Sequence, residues 1–145
     1  MAALSDFTEN KLVDMLLRAQ SFPPPGTLHF GLLTAAPSDA GGGTEVSGGA
    51  YARVAVTASL ANFSGTQATG STTASSGNSG QTSNNGAITF PAPTANWGTV
   101  GWLGVYDAPT GGNLLFHMAL TTPKTVNNGD AAPSFGAGAF VLTFD

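Results

Sequence analysis

The chain has no cysteine and little charge, and these two absences remove much of the usual chemistry. Of its 145 residues only 8% are charged, where an average soluble protein has about 25%. Without Cys, disulfide scaffolds, Cys-ligated metal sites and thiol catalysis are excluded. Four Lys/Arg against eight Asp/Glu leave a net charge of −4, with an isoelectric point near 4.7. Such a chain lacks the basic footprint of a nucleic-acid binder, because so few cations neutralise few phosphates. No apolar run approaches the roughly 18 residues that span a bilayer. Residues 1–6 lack a basic stretch followed by an apolar one, so no secretory signal and no membrane partner are expected.

Glycine, by contrast, is abundant at 20 residues, about twice its usual share. The hydrophobic fraction of 41% is inflated by 22 alanines, which leave 38 large apolar side chains. That is a thin core for the length. Either part of the chain stays outside the core, or further surface is buried in an assembly.

One segment reads as a helix. Asp6 and Glu9 stand at capping-box spacing. Leu12, Met15, Leu16 and Ala19 follow a helical repeat that Val13 and Leu17 widen. Phe22 and Pro23-Pro24-Pro25-Gly26 end it, since proline lacks the amide and disfavours helix in the residue before it. The broad apolar stripe predicts docking on its own sheet or on another subunit.

Beyond Gly26 the apolar residues alternate. Leu28, Phe30 and Leu32 share one face of a first run, and Val54 and Val56 mark a second. Val100, Trp102, Gly104 and Tyr106 oppose Leu103 and Val105 in a third; Leu114, Phe116, Met118 and Leu120 form a fourth. Phe140, Leu142 and Phe144 close the chain. Turn residues at 107–112 and 127–130 separate such runs. The pattern predicts a mainly β fold: an antiparallel β-sandwich or jelly-roll-like barrel with one N-terminal amphipathic helix. Residues 1–26 form the helix and Pro-rich connector, and 27–145 the β domain. The stretch 64–86 has no charge and no large apolar side chain. It reads as a long Ser/Thr/Gly-rich loop, poorly ordered and without core residues.

No catalytic constellation emerges, so no enzyme and no cofactor are expected. His29 and His117 could meet only if their strands pair, and no carboxylate is near either in sequence. Gly41-Gly42-Gly43-Thr44 lacks the Lys-Ser/Thr of a phosphate loop. Asp39 and Glu45 flank that glycine run, where a solvated loop is a better reading than a cation site. Trp97 and Trp102 read as core or interface aromatics, with a sugar platform the minor alternative. Arg53 is the lone charge of its strand region and should form a structural ion pair with Glu45 or Asp107. The candidate interface comprises Leu12, Met15, Leu16, Ala19, Phe22, Trp97 and Trp102. A low-charge β domain of this kind suits a building block, since neutral surfaces cost little to desolvate against copies of themselves.

The residues also carry a resemblance. Ser5-Asp6-Phe7-Thr8-Glu9-Asn10-Lys11-Leu12, Gly31-Leu32-Leu33-Thr34-Ala35-Ala36-Pro37, Asn96-Trp97-Gly98 and Gly111-Gly112-Asn113-Leu114-Leu115-Phe116 resemble segments of small virion structural proteins of tailed bacteriophages, of the decoration or tail-fibre type. The likeness spans nearly the whole chain outside 64–86. It implies a virion protein, and size and simplicity favour a capsid decoration (cement) protein bound to the major capsid protein and to copies of itself, as a dimer or trimer. The alternative is a tail component, a short fibre, spike or adaptor, contacting other tail proteins or a host surface glycan. A carbohydrate-binding module or hydrolase ranks behind both, for want of a catalytic carboxylate pair.

Overall fold

A computed structural model describes residues 2–66, 71, 73–76, 78 and 80–144. Strands dominate, all pairings are antiparallel, and one helix lies near the N-terminus, in a sandwich-like arrangement. The larger sheet is built around β2 (Thr27–Ala35), β8 (Gly98–Tyr106) and β9 (Leu114–Val126). A short β1 (Ala2–Leu4) caps part of the β9 edge. On the other side β3 (Thr44–Glu45) and β4 (Val54–Thr57) share the free edge of β2. The opposite layer is in two pieces. One joins β5 (Phe63–Ser64), β6 (Gln81–Asn84) and β11 (Val141–Thr143), and the other pairs β7 (Ile88–Thr89) with β10 (Ser134–Phe135).

The core lies between these layers. Phe30 and Leu32 of β2, Leu103 and Val105 of β8 and Phe116 of β9 face Ile88, Phe90, Phe140 and Leu142. Phe140 meets Phe30 edge-on at 5.2 Å and stacks with Phe116 at 6.1 Å. Edge-to-face and offset contacts of this kind add to what burial contributes.

Two bulges break the simple alternation. Between Val100 and Trp102 the register jumps from Lys124 to Ala119 on β9. Val100 therefore joins Leu103 and Val105 in the core, not Trp102 on the outer face. Leu115 is the extra residue of the second bulge, between the Val105–Phe116 and Tyr106–Leu114 pairs. It enters the core beside Phe116, which strict period-two counting does not allow.

The segment 64–86 differs from its expectation at both ends. Ser64, Ser83 and Asn84 are buried within β5 and β6, so the stretch adds buried polar groups to these strands although none of its described residues joins the hydrophobic core. The expectation of poor order covers the whole of 64–86, of which residues 67–70, 72, 77 and 79 lie outside the described residues. Asn84 acts through hydrogen bonds. Its amide donates to the carbonyls of Gly86 (2.7 Å) and Gly136 (2.8 Å), and its Oδ1 accepts from the Phe140 N–H (2.9 Å). This side chain fastens the end of β6 to the 136–140 stretch.

Replacing Asn84 by Leu removes the donors to Gly86 and Gly136 and leaves the buried Phe140 N–H without its side-chain acceptor, an unpaired buried donor costing about 1–3 kcal/mol. Thermal or urea unfolding should show a loss of at least about 2 kcal/mol. An unchanged transition would mean that water replaces the amide and that the hub is dispensable.

Candidate interaction surfaces and the Arg53 clamp

The helix α1 (Asp6–Leu17) is anchored by its polar end. Ser5, not Asp6, is the N-cap, and its hydroxyl oxygen accepts the Thr8 N–H at 3.3 Å. The bulge in β9 turns its carbonyls toward this end. The Ser5 N–H and the Thr8 hydroxyl donate to the Leu115 carbonyl at 3.0 and 2.8 Å, and the Ser5 hydroxyl donates to the Leu114 carbonyl. The Asp6 N–H is taken by the Asp39 carbonyl at 2.8 Å. At the far end Ala19 adopts a φ of 54° and the Gln20 N–H returns to Asp14.

This anchoring leaves the apolar stripe uncovered. Leu16 is 72% exposed, Leu17 80% and Val13 50%. Met15 and Ala19 are also exposed, whereas Leu12 is half-buried. Phe22 is half-buried too, edge-on to Phe7 at 6.3 Å. The stripe therefore does not dock on the chain's own sheet. The two tryptophans part company. Trp97 is buried, stands edge-on to Tyr51 at 5.3 Å and donates its indole N–H to the Gly49 carbonyl. It is a core residue and not a surface anchor. Trp102 is half-buried on the outer face, in register with Leu33 and Ala119.

A built-in charge cluster lies over the outer face of the larger sheet. Gly31 and Gly104 are register partners there, and Tyr106 folds back over them. A Cβ at Gly104 would stand 2.9 Å from the Tyr106 ring, and one at Gly31 would stand 2.8 Å from Glu45 Oε1. Only glycine permits the approach. The Arg53 guanidinium covers the Tyr106 ring, 3.4 Å from its centroid. It grips Glu45 with two parallel hydrogen bonds, Nε to Oε1 at 2.8 Å and Nη2 to Oε2 at 2.7 Å. Its Nη1 donates to the Ala108 and Gly111 carbonyls of the hairpin loop between β8 and β9. The Arg53 side chain is 6% exposed.

Asp107 takes no part in this pair. It closes the hairpin loop instead, accepting the Asn113 N–H and side-chain amide at 2.7 Å each. Tyr51 completes the cluster at a gap in the ladder. β4 pairs β2 as far as Phe30 and β3 resumes at Leu33. Between them the Leu32 N–H donates to Tyr51 Oη at 2.9 Å, and the phenol O–H in turn donates a hydrogen bond to Glu45 Oε1 at 2.7 Å. A tyrosine hydroxyl stands where a strand backbone is missing. This role has no signature in the sequence.

Burial pushes the Tyr51 phenol well above its usual range, and the hydrogen bond to Glu45 and that carboxylate's charge push the same way. Tyr106 rises for similar reasons, burial first and then Glu45. For Arg53 burial acts downward, but the hydrogen bond and charge of Glu45 outweigh it and the net shift is up. The two histidines do not meet. β8 lies between their strands, and His117 Nε2 instead lies 3.3 Å from Asp39 Oδ1. Among the described residues no group of three His, Asp or Glu side chains is placed to hold a metal ion. Nor is any helix there long and apolar enough to cross a membrane.

Two outcomes follow for the clamp. Arg53→Met strands a partly buried carboxylate and two loop carbonyls, and should cost about 2–4 kcal/mol in equilibrium unfolding. No loss of stability would reduce the pair to ornament. The second concerns alkaline pH. The unfolded chain ionises its phenols near pH 10, while folded Tyr51 and Tyr106 hold their protons above that. Folding stability is therefore fully present below about pH 10 and falls as pH rises beyond it. Tyr51→Phe should make that fall shallower while lowering stability at neutral pH by about 1–3 kcal/mol, because the Leu32 N–H loses its acceptor. An identical pH slope in the variant would acquit Tyr51.

The comparison with known proteins bears on residues 3–143. Over that span the sequence matches the family described as Podophage GP4 fiber I protein gp80. No curated protein matches it. The match agrees with the resemblance to small structural proteins of tailed-phage virions, and it covers α1, the clamp and both layers of the sandwich. The chain belongs to the Podophage GP4 fiber I protein gp80 family.

Proposed function

We propose that the chain is a non-enzymatic, fibre-type structural component of the tail apparatus of a phage virion, binding copies of itself and neighbouring tail proteins. The single observation that carries this reading is the fibre-family match over residues 3–143. The build of the molecule supports it. Glu45 and Arg53 are consumed in an internal clamp, and α1 exposes four large apolar side chains, Val13, Met15, Leu16 and Leu17. Such surfaces suit protein contacts that exclude water. Capsid decoration, ranked first from the sequence on size and simplicity, becomes the second reading, since the family's description is of a fibre. A host-glycan contact through the tryptophans loses support, because Trp97 is buried and Trp102 half-buried.

Immunogold labelling of intact virions with antibody against this protein tests the proposal. Gold on tails is expected. Gold spread evenly over heads would replace the tail reading with decoration. Unlabelled virions, with an antibody proven on the purified protein, would end the structural reading altogether.

A further inference from the structure

The larger sheet ends on β9, and the two halves of that edge are treated differently. Residues 116–118 are covered by β1. Along 119–126 no strand pairs the outward side among the described residues. An open edge offers its unpaired backbone groups to any extended chain. The hazard is marked here, because the adjoining run Leu114-Leu115-Phe116-His117-Met118-Ala119-Leu120 holds no Asp, Glu, Lys or Arg and is rich in large apolar residues. Three features meet beside it. First, the register passes from Val100–Lys124 to Trp102–Ala119, so residues 120–123 stand against Gly101 alone in a wide bulge that bends the strand. Second, Pro123 lies in that bulge and has no N–H to give to a ladder. Third, Lys124 points inward. Its register partner Val100 and its same-face neighbour Val126 are both core residues, and it borders the cleft between the layers with Leu32 and Phe135. No acid lines that cleft, and Lys124 makes no ion pair among the described residues. The other basic residues are engaged: Arg18 with Asp14, Arg53 with Glu45, and Lys11 over the Phe7 ring. Lys124 nonetheless stays exposed, since the edge beside it is open.

We propose that this half of β9 is a guarded edge, on which the bulge, Pro123 and the inward Lys124 together refuse strand addition. A strand laid along 119–126 would roof the open side of the cleft. It would take the Lys124 ammonium out of water with no carboxylate to meet it, which is costly. The same strand would face a bent partner and find no donor at Pro123. Copies of the chain are thereby kept from joining into one continuous sheet through β9, and their contacts use other surfaces. The guard is a property of the fold. It goes beyond the proposed function and does not depend on where in the virion the chain sits.

Amide hydrogen exchange of the full chain over a range of concentrations tests the guard, with thioflavin T fluorescence read alongside. In the wild type, exchange across 119–126 should not change with concentration. Lys124→Val, alone and combined with Pro123→Val, should slow exchange there by about tenfold or more as concentration rises, and thioflavin T signal should grow with it. Lys124→Glu should behave as the wild type, since a charge of either sign is costly to cover. Lys124→Thr replaces the valine variant should that one show an altered thermal transition. Wild-type amides that become protected at high concentration would overturn the proposal, for the edge would then be a joint. So would a double variant whose exchange stays independent of concentration. Association of Lys124→Glu like that of Lys124→Val would also overturn it, by tracing the effect to a specific contact of the ammonium and not to its charge.

Discussion

The bidentate Arg53–Glu45 pair, laid on Tyr106 over two glycines, is the contact on which the outer face of the sheet depends. Three elements distant in sequence converge there: the β3 edge through Glu45, the approach to β4 through Arg53, and the hairpin loop through Ala108 and Gly111. An exposed ion pair contributes little to stability. This one is different because the guanidinium is buried and its partners include two carbonyls and an aromatic face. In a chain with four basic residues, committing one of them to the interior is a large share of the available charge. The gain is a hairpin loop and an edge strand held without a large apolar cluster on that face.

The same economy recurs elsewhere. Asn84 ties the end of β6 to the 136–140 stretch, and Tyr51 fills a gap in the β2 ladder with a hydroxyl. Ser5 and Thr8 use bulge carbonyls of β9 to fasten α1. Polar groups do the joining, and each is satisfied by backbone. Large apolar residues are thereby released from duty inside the monomer, and several of them, on α1 and at Leu60 and Phe144, lie at the surface. For a fibre-family protein this is a sensible division. Hydrogen bonds between distant segments help to secure the fold, and apolar side chains of α1 remain exposed.

Much of this was legible in the residues. Period-two alternation marked β2, β4 and the main runs of β8 and β9, and the antiparallel, strand-dominated fold with one helix follows from it. Arg53 was conspicuous as an isolated charge, although the choice between Glu45 and Asp107 needed the three-dimensional path of the hairpin loop. Bulges were the main obstacle. They shift the phase at Val100 and Leu115, and nothing in a hydropathy pattern announces the residue at which two positions oppose one. The short pairings of β5, β6 and β7 were hidden because strands of two to four residues are too short to show an alternation. The helix was read correctly as amphipathic, but its stripe was not tied to one partner, because capping by Ser5 and docking by Thr8 are invisible to an apolar count.

A double-mutant cycle between Arg53 and Glu45, read by equilibrium unfolding at neutral pH, tests the central claim most directly. Arg53→Met, Glu45→Gln and the pair together isolate the coupling between the two side chains. The account predicts a coupling of about 2 kcal/mol or more, above the roughly 0.2–1 kcal/mol of exposed pairs. A coupling within about 0.5 kcal/mol of zero would contradict it, and would move the burden of holding the outer face to burial of Leu33 and Tyr106 alone.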